Sequence, residues 1–223
     1  MAKKVSTKDN ELEGVQNVLS TSEAFIEKYQ KQLIYGLIAV AIIVLAIILF
    51  RNNYLQPRSI DAQNEISKAQ QYFAVDSFRI AVDGNLECLG FKEIVSEYSI
   101  TSSGNLAAAY AGICYYKLEQ YEDAIKYLSE YNGKGSSLGI EAIGLIGDCY
   151  VELGNTEKAI GFYEKAIKKN NDVLSPIYMK KAGIAYESLN KPAKALELYK
   201  AIKDNYPTSS EYSDIDKYIS RLQ

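Results

Sequence analysis

The sequence predicts an all-α chain: a single N-terminal transmembrane helix, then an α-solenoid of roughly four helical hairpins closed by a capping helix. Two observations predict it. Three stretches share one pattern: AYAGICYYKLEQYEDAIKYL (109–128), GLIGDCYVELGNTEKAIGFY (144–163) and KKAGIAYESLNKPAKALELY (180–199). Anchored on Ala124, Ala159 and Ala195, they lie 35 and then 36 residues apart. A period in this range marks units that bury their apolar faces only by stacking on neighbours. The second observation is LIYGLIAVAIIVLAIILF, residues 33–50, an apolar run with no charged residue.

In chain order, residues 1–32 form a polar N-terminal tail with a sparse apolar series: Leu12, Val15, Val18, Leu19, Phe25, Ile26 and Tyr29. The spacing fits an amphipathic helix leading into the apolar run, and equally a frayed tail with a helical end. Residues 33–50 would be about 27 Å long as a helix, close to the hydrocarbon thickness of a bilayer. A core helix rarely lacks any polar face over such a length. A cleaved signal peptide would need a short basic start and a small-residue cleavage site. Here 32 polar-rich residues come first, and the run ends in Leu-Phe-Arg-Asn-Asn-Tyr. The segment therefore reads as an uncleaved signal anchor, with membrane lipid as its surroundings. Lys3, Lys4, Lys8, Lys28 and Lys31 precede it, and Arg51, Arg58 and Lys68 follow. The small excess before the run favours a cytoplasmic N-terminus. That places residues 59–223 across the membrane, which in a Gram-negative bacterium is the periplasm.

Residues 51–58 read as a linker and 59–104 as a degenerate leading repeat. Within the latter, 60–82 is expected as one long helix and 91–98 as a short second one. Three repeats follow at 105–139, 140–175 and 176–209, and 210–223 would be the capping helix. In each repeat a Gly (Gly112, Gly147, Gly183) precedes a Tyr (Tyr115, Tyr150, Tyr186) by three residues, on one helix face. A polar turn follows, for which Asn155 and Asn190 are expected N-caps and Pro192 a first-turn residue. The second helix carries its anchor Ala and, four residues on, Leu128, Tyr163 or Tyr199.

Composition narrows the function. The chain has no histidine, which excludes triads with a His base and zinc sites with His ligands. Its three cysteines, Cys88, Cys114 and Cys149, are odd in number and widely spaced, which does not describe a disulfide framework or a metal site. Cys114 and Cys149 share a register within their repeats, which points to packing. Gly133-Lys134-Gly135 lacks the spacing of a phosphate loop. The net charge of the whole chain is −3, and residues 59–223 are acidic, whereas nucleic acid calls for a basic face. No catalytic constellation, cofactor motif or metal set emerges, and the chain reads as non-enzymatic.

The small residue at position 8, Tyr at 11, Ala at 20 and aromatic at 24 resemble the tetratricopeptide repeat family. The second copy carries all of them, in Gly147, Tyr150, Ala159, Tyr163, with Ala166 at 27. The first departs at 24 and 27 (Leu128, Tyr131), the third at 27 (Ile202), and the family's Trp at position 4 is absent throughout. The resemblance implies a protein-binding groove along the first helices. Its candidate residues are Tyr116, Lys117, Asp148, Val151, Glu152, Lys180, Ile184 and Glu187. Members that clamp a C-terminal carboxylate use several basic residues. Positions 5 and 9 here are Ala109, Gly144, Lys180 and Ile113, Asp148, Ile184, so one Lys does not make that clamp. The mixed apolar and acidic lining suits a helix or extended segment with basic or apolar side chains.

The layout of tail, signal anchor and acidic repeats is similar to the YfgM-type ancillary subunits of the bacterial Sec translocon. GFKEIVSEY, SSGNLAAAYAGICYYKL and YPTSSEYSDIDKYISRL resemble the Bacteroidota members of that family. That resemblance implies an inner-membrane adaptor, with SecYEG, a PpiD-type membrane-anchored chaperone and emerging polypeptides as partners. The alternative is an envelope scaffold for another machine, such as cell division or outer-membrane assembly.

Overall fold

A computed structural model describes the backbone of residues 7–223 and the side chains of residues 28–223. The tail's apolar series from Leu12 to Ile26 falls outside the described side chains. Two compact units, Met1–Tyr54 and Leu55–Gln223, make up the chain. Among the described residues there is no β-strand, only a single bridge between Gly84 and Leu89.

In the first unit, helix α1 runs Thr7–Phe50. Its large apolar side chains from Leu33 to Phe50 are exposed. No element of the unit covers them, and the helix is long and apolar enough to cross a membrane. Arg51–Leu55 is a turn of π-helix, and α2 then runs Gln56–Ala74. The expected linker at 51–58 is thus helical. Nothing in Arg-Asn-Asn-Tyr-Leu stops a helix. Pro57 lies in the first turn of α2, where a missing N–H costs least.

The second unit is a succession of paired helices. After α2 come α3 (Phe78–Asp83) and α4 (Phe91–Glu97), then α5 (Ser102–Lys117) with α6 (Tyr121–Glu130). Next are α7 (Ser137–Glu152) with α8 (Thr156–Ile167), and α9 (Leu174–Ser188) with α10 (Pro192–Asn205). A 3-10 turn at Ser210–Ser213 and α11 (Ile215–Ser220) close the domain. From α4 to α10 each helix packs on the next in order, and α5, α7 and α9 also touch in sequence.

The first helix of each pair ends the same way. Gln120, Asn155 and Lys191 donate their backbone N–H to the carbonyls of Tyr115, Tyr150 and Tyr186. The residue before each donor is left-handed: Glu119, Gly154 and Asn190. This is the Schellman stop, which satisfies carbonyls the helix leaves open. Asn190 is therefore the left-handed residue that ends α9, not the N-cap of α10. Asn155 is an N-cap as expected, its side chain accepting from Lys158 N–H at 3.2 Å. Thr101 and Ser136 cap α5 and α7 by the same means.

The stop also explains a difference in the leading segment. Ser77 donates to the Tyr72 carbonyl, with Asp76 left-handed between them. The expected single helix over 60–82 is broken there into α2 and α3. The break lets Phe73 and Phe78 meet edge-on at 5.6 Å, and Phe73 also meets Tyr110 of α5 at 5.0 Å.

Within each pair the small residue makes room for the second helix. A Cβ on Gly112 would run into the Leu128 side chain, and one on Gly183 into the Tyr199 ring. On Gly147 it would lie 2.6 Å from the Tyr163 ring. Ala124, Ala159 and Ala195 are fully buried beside them. Two continuous apolar clusters result, one around Phe91, Ile94 and Tyr115, the other around Tyr163, Tyr186 and Tyr199.

Candidate functional site

Helices α5, α7 and α9 line up along one face and enclose two neighbouring cavities. One, of about 260 Å³, lies between α5 and α7 and is lined by Ile113, Tyr116, Lys117, Glu141, Leu145, Asp148 and Tyr178, among others. The second, of about 400 Å³, lies between α7 and α9. Its lining includes Tyr116, Asp148, Val151, Glu152, Lys181 and Ile184. Tyr116 and Asp148 belong to both and form the wall between them.

Helical periodicity sets this up. Ile113 and Tyr116 project one turn apart from α5, as Asp148 and Val151 do from α7. A Cβ on Gly144 would overlap the Tyr178 ring. Only a glycine there lets Tyr178, coming from α9, reach across α7 into the first cavity. Tyr178 also stacks on Tyr163 at 6.1 Å between centroids.

Asp148 is the electrostatic centre. It accepts from the Tyr163 hydroxyl at 2.7 Å and from Lys181 Nζ at 2.6 and 2.8 Å, one bond to each oxygen. Burial, then the charge of Asp148 and the bond to it, pushes the Tyr163 phenol well above its usual range. Burial and the charges of Asp148 and Glu141 do the same to Tyr178. Burial, Asp148 and Glu152 raise Tyr116. These phenols stay protonated and neutral at any physiological pH.

The eight expected groove residues divide. Tyr116, Asp148, Val151, Glu152 and Ile184 come together in the second cavity, and Lys117 joins Tyr116 and Asp148 in the first. Lys180 and Glu187 line neither cavity. Lys180 is paired with Asp214 at 2.6 Å. Glu187 binds Arg221 at 2.6 Å and accepts from the Tyr199 hydroxyl at 2.6 Å. The guanidinium of Arg221 holds the Glu187 carboxyl below its ordinary value, against the opposing effect of burial, with Tyr199 assisting. Both residues thus tie the closing segment 210–221 to α9.

The lining also holds residues outside the expected eight, among them Lys181, Tyr163, Tyr178 and Glu141. Lys181 lies 33 residues from its partner Asp148, beyond any local pattern. Tyr163 and Tyr178 are buried, yet each also walls a cavity. Burial lifts the thiols of Cys114 and Cys149 to about 12, which fits packing roles for both. Among residues 28–223 no group of three or more acids or cysteines is placed to hold a metal ion.

Comparison with known proteins agrees with this architecture. Residues 92–166 match the family model of anaphase-promoting complex, cyclosome, subunit 3, and residues 145–210 match a tetratricopeptide repeat model. No curated protein matches the sequence. Among solved structures, MamA is similar at 17% identity with a TM-score of 0.53, over 69% of this chain and 91% of that one. A putative kinesin light chain from Podosopora anserina, with nearly identical TPR-like repeats, is similar at 12% identity. Its TM-score is 0.55, over 72% of this chain and 84% of that one. At such identities these two structures bear on the fold alone. Family models, repeat register and helix pairing agree that residues 92–210 form an array of tetratricopeptide-type repeats, a scaffold for protein–protein interaction.

Proposed function

We propose that this protein is a non-enzymatic, membrane-anchored adaptor, held by residues 33–50 and binding polypeptide along the α5–α7–α9 face. The observation that carries the reading is one chain holding both features. It has a helix whose apolar run is exposed over its whole length, and a repeat domain with a two-cavity face. An exposed apolar run of that length in water would be an aggregation liability, and lipid removes it. Tethering raises the local concentration of the groove near its partner, so weak contacts suffice.

In finer terms, we assign the adaptor to a bacterial inner membrane with the repeat domain on the periplasmic side. SecYEG, a PpiD-type chaperone and emerging polypeptides are its partners. The layout of tail, anchor and acidic repeats supports this, as does the modest lysine excess before the anchor. Crosslinking in intact cells, followed by purification of the full chain in mild detergent, tests it. Sec subunits are expected among the crosslinked products. Recovery of division or outer-membrane assembly proteins instead would move the protein to a different machine. Protease shaving of spheroplasts should degrade residues 59–223, and protection of that domain would reverse the orientation.

A further inference from the structure

The two cavities share a wall, and the charges around them are unequally engaged. Asp148 looks like the ligand-reading acid, but Lys181 and Tyr163 already occupy both of its oxygens. Glu141 lines the first cavity and Glu152 the second. Glu119 and Glu152 both act on Tyr121, whose ring meets Tyr116 at 5.9 Å. None of these three acids forms an ion pair among the described residues, and all are exposed. Against them the face offers Lys117, and Lys181 in its pair with Asp148. Inside the acidic rim the surface is apolar. Ile113 and Leu145 are half-buried, and Val151 and Ile184 are 43% and 44% exposed. The hydroxyls of Tyr116 and Tyr178 make no hydrogen bond among the described residues and border the first cavity.

We propose that this face takes one polypeptide segment carrying two apolar anchor side chains about 10 Å apart, flanked by lysine or arginine. The inference rests on the adaptor reading above only in taking the ligand to be protein. Each cavity lies in one interhelical step, and neighbouring helix axes stand roughly 8–10 Å apart, which sets the anchor separation. On a helical ligand, residues i and i+7 meet that spacing on one face at about 1.5 Å per residue. The acidic rim then meets the flanking cations, and an acidic ligand is repelled. Recognition falls to Glu141 and Glu152, whereas Asp148 holds α7 to α9.

The test uses the full chain in zwitterionic nanodiscs, with empty nanodiscs as the blank. The probe is a labelled amphipathic helical peptide with two leucines seven residues apart and flanking lysines, read by fluorescence anisotropy. Peptides with Glu for Lys, or Ser for both leucines, serve as comparisons. The Lys/Leu peptide should bind. The Glu version should bind about tenfold more weakly at low salt, and the Ser version should lose most of its affinity. The double variant Glu141→Gln/Glu152→Gln should weaken the Lys/Leu peptide several-fold and flatten its salt response, while Lys200→Gln leaves it unchanged. Both acids are exposed, so an unaltered circular dichroism spectrum separates lost recognition from lost fold. Equal binding of the Glu peptide, equal binding of the Ser peptide, or an unchanged double variant would overturn the proposal. If peptide discrimination fails while crosslinking to Sec subunits persists, the ligand chemistry alone is wrong. If discrimination holds and that crosslinking is absent, the Sec placement alone is wrong.

Discussion

The α5–α6 pair and the two pairs that follow it are held by different forces. In the first pair, position 24 is Leu128, which packs under Gly112 with no polar atom. Tyr115 stacks on Tyr127 at 5.3 Å, and no ion pair joins the first two pairs among the described residues. In the next two pairs, position 24 is tyrosine, and its hydroxyl donates to an acid on the preceding helix. That acid is held from the following element: Tyr163–Asp148–Lys181, then Tyr199–Glu187–Arg221. The same repeat position therefore gives a dry hydrophobic contact at one end and a polar clasp between units at the other. Non-polar contact involves no titrating group, whereas the clasps depend on ionised carboxylates.

Removing a clasp tyrosine entirely should have the largest effect. Tyr199→Ala deletes a fully buried ring and leaves Glu187 with Arg221 alone, and should cost about 3–5 kcal/mol in urea unfolding. Hydrogen exchange should then show the loss concentrated in α9–α11. Deleting only the hydroxyl isolates the polar part of the comparison. Tyr163→Phe should cost about 1.5–3 kcal/mol, because its bond is to a charged carboxylate. Tyr115→Phe, whose hydroxyl has no protein partner among the described residues, should fall within about 0.5 kcal/mol of wild type. Equal effects from the two Phe variants would erase the distinction.

The left-handed stop residues give a second, smaller contrast. Gly154 adopts φ 72° without penalty, but Glu119 holds φ 59° with a side chain. Glu119→Gly should stabilise the chain by up to about 1 kcal/mol, and Gly154→Glu should destabilise it by a similar amount.

Acid should act on the clasped half through Glu187. Its folded pKa lies below the ordinary 4.5, so its contribution is complete above that value and is lost as pH falls through the depressed one. Thermal melts of wild type against Glu187→Gln should converge as pH drops from about 5 toward about 3. Asp83 is also held low in the opening region. Burial pushes its carboxyl up, but the bonds and charges of Lys92 and Arg79 together outweigh that, so Asp83→Asn is the matching control there. The smallest effect is expected at Lys203–Asp216, an exposed pair. Lys203→Gln should leave the melting temperature unchanged within error.

Much of the fold was legible because it is local. Gly at position 8 and the bulky residue at 24 are coupled by one hairpin, and the pairing of Gly147 with Tyr163 follows from their spacing. Asn155 worked as an N-cap for the same reason. Asn190 did not, because an Asn before a turn fits either a cap or a left-handed stop, and the stop at Glu119 and Gly154 is visible only when the copies share a backbone. The break at Asp76 was hidden likewise, since the apolar periodicity runs on through Phe78 and Ile80. Five of the eight groove residues meet in one cavity because they sit on facing helix stripes. Lys180 and Glu187 occupy corresponding stripes on α9, but the closing segment engages them, and nothing in their own repeat announces Asp214 or Arg221.

Gly144 carries a further consequence. Because the Tyr178 ring rests where its side chain would stand, position 144 acts as a dial on the first cavity. A single added methyl group must swing that ring aside, enlarging or closing the space without touching any charge. One small residue thus gives an engineer, or natural variation, a way to change what this face accepts while the solenoid around it stays the same.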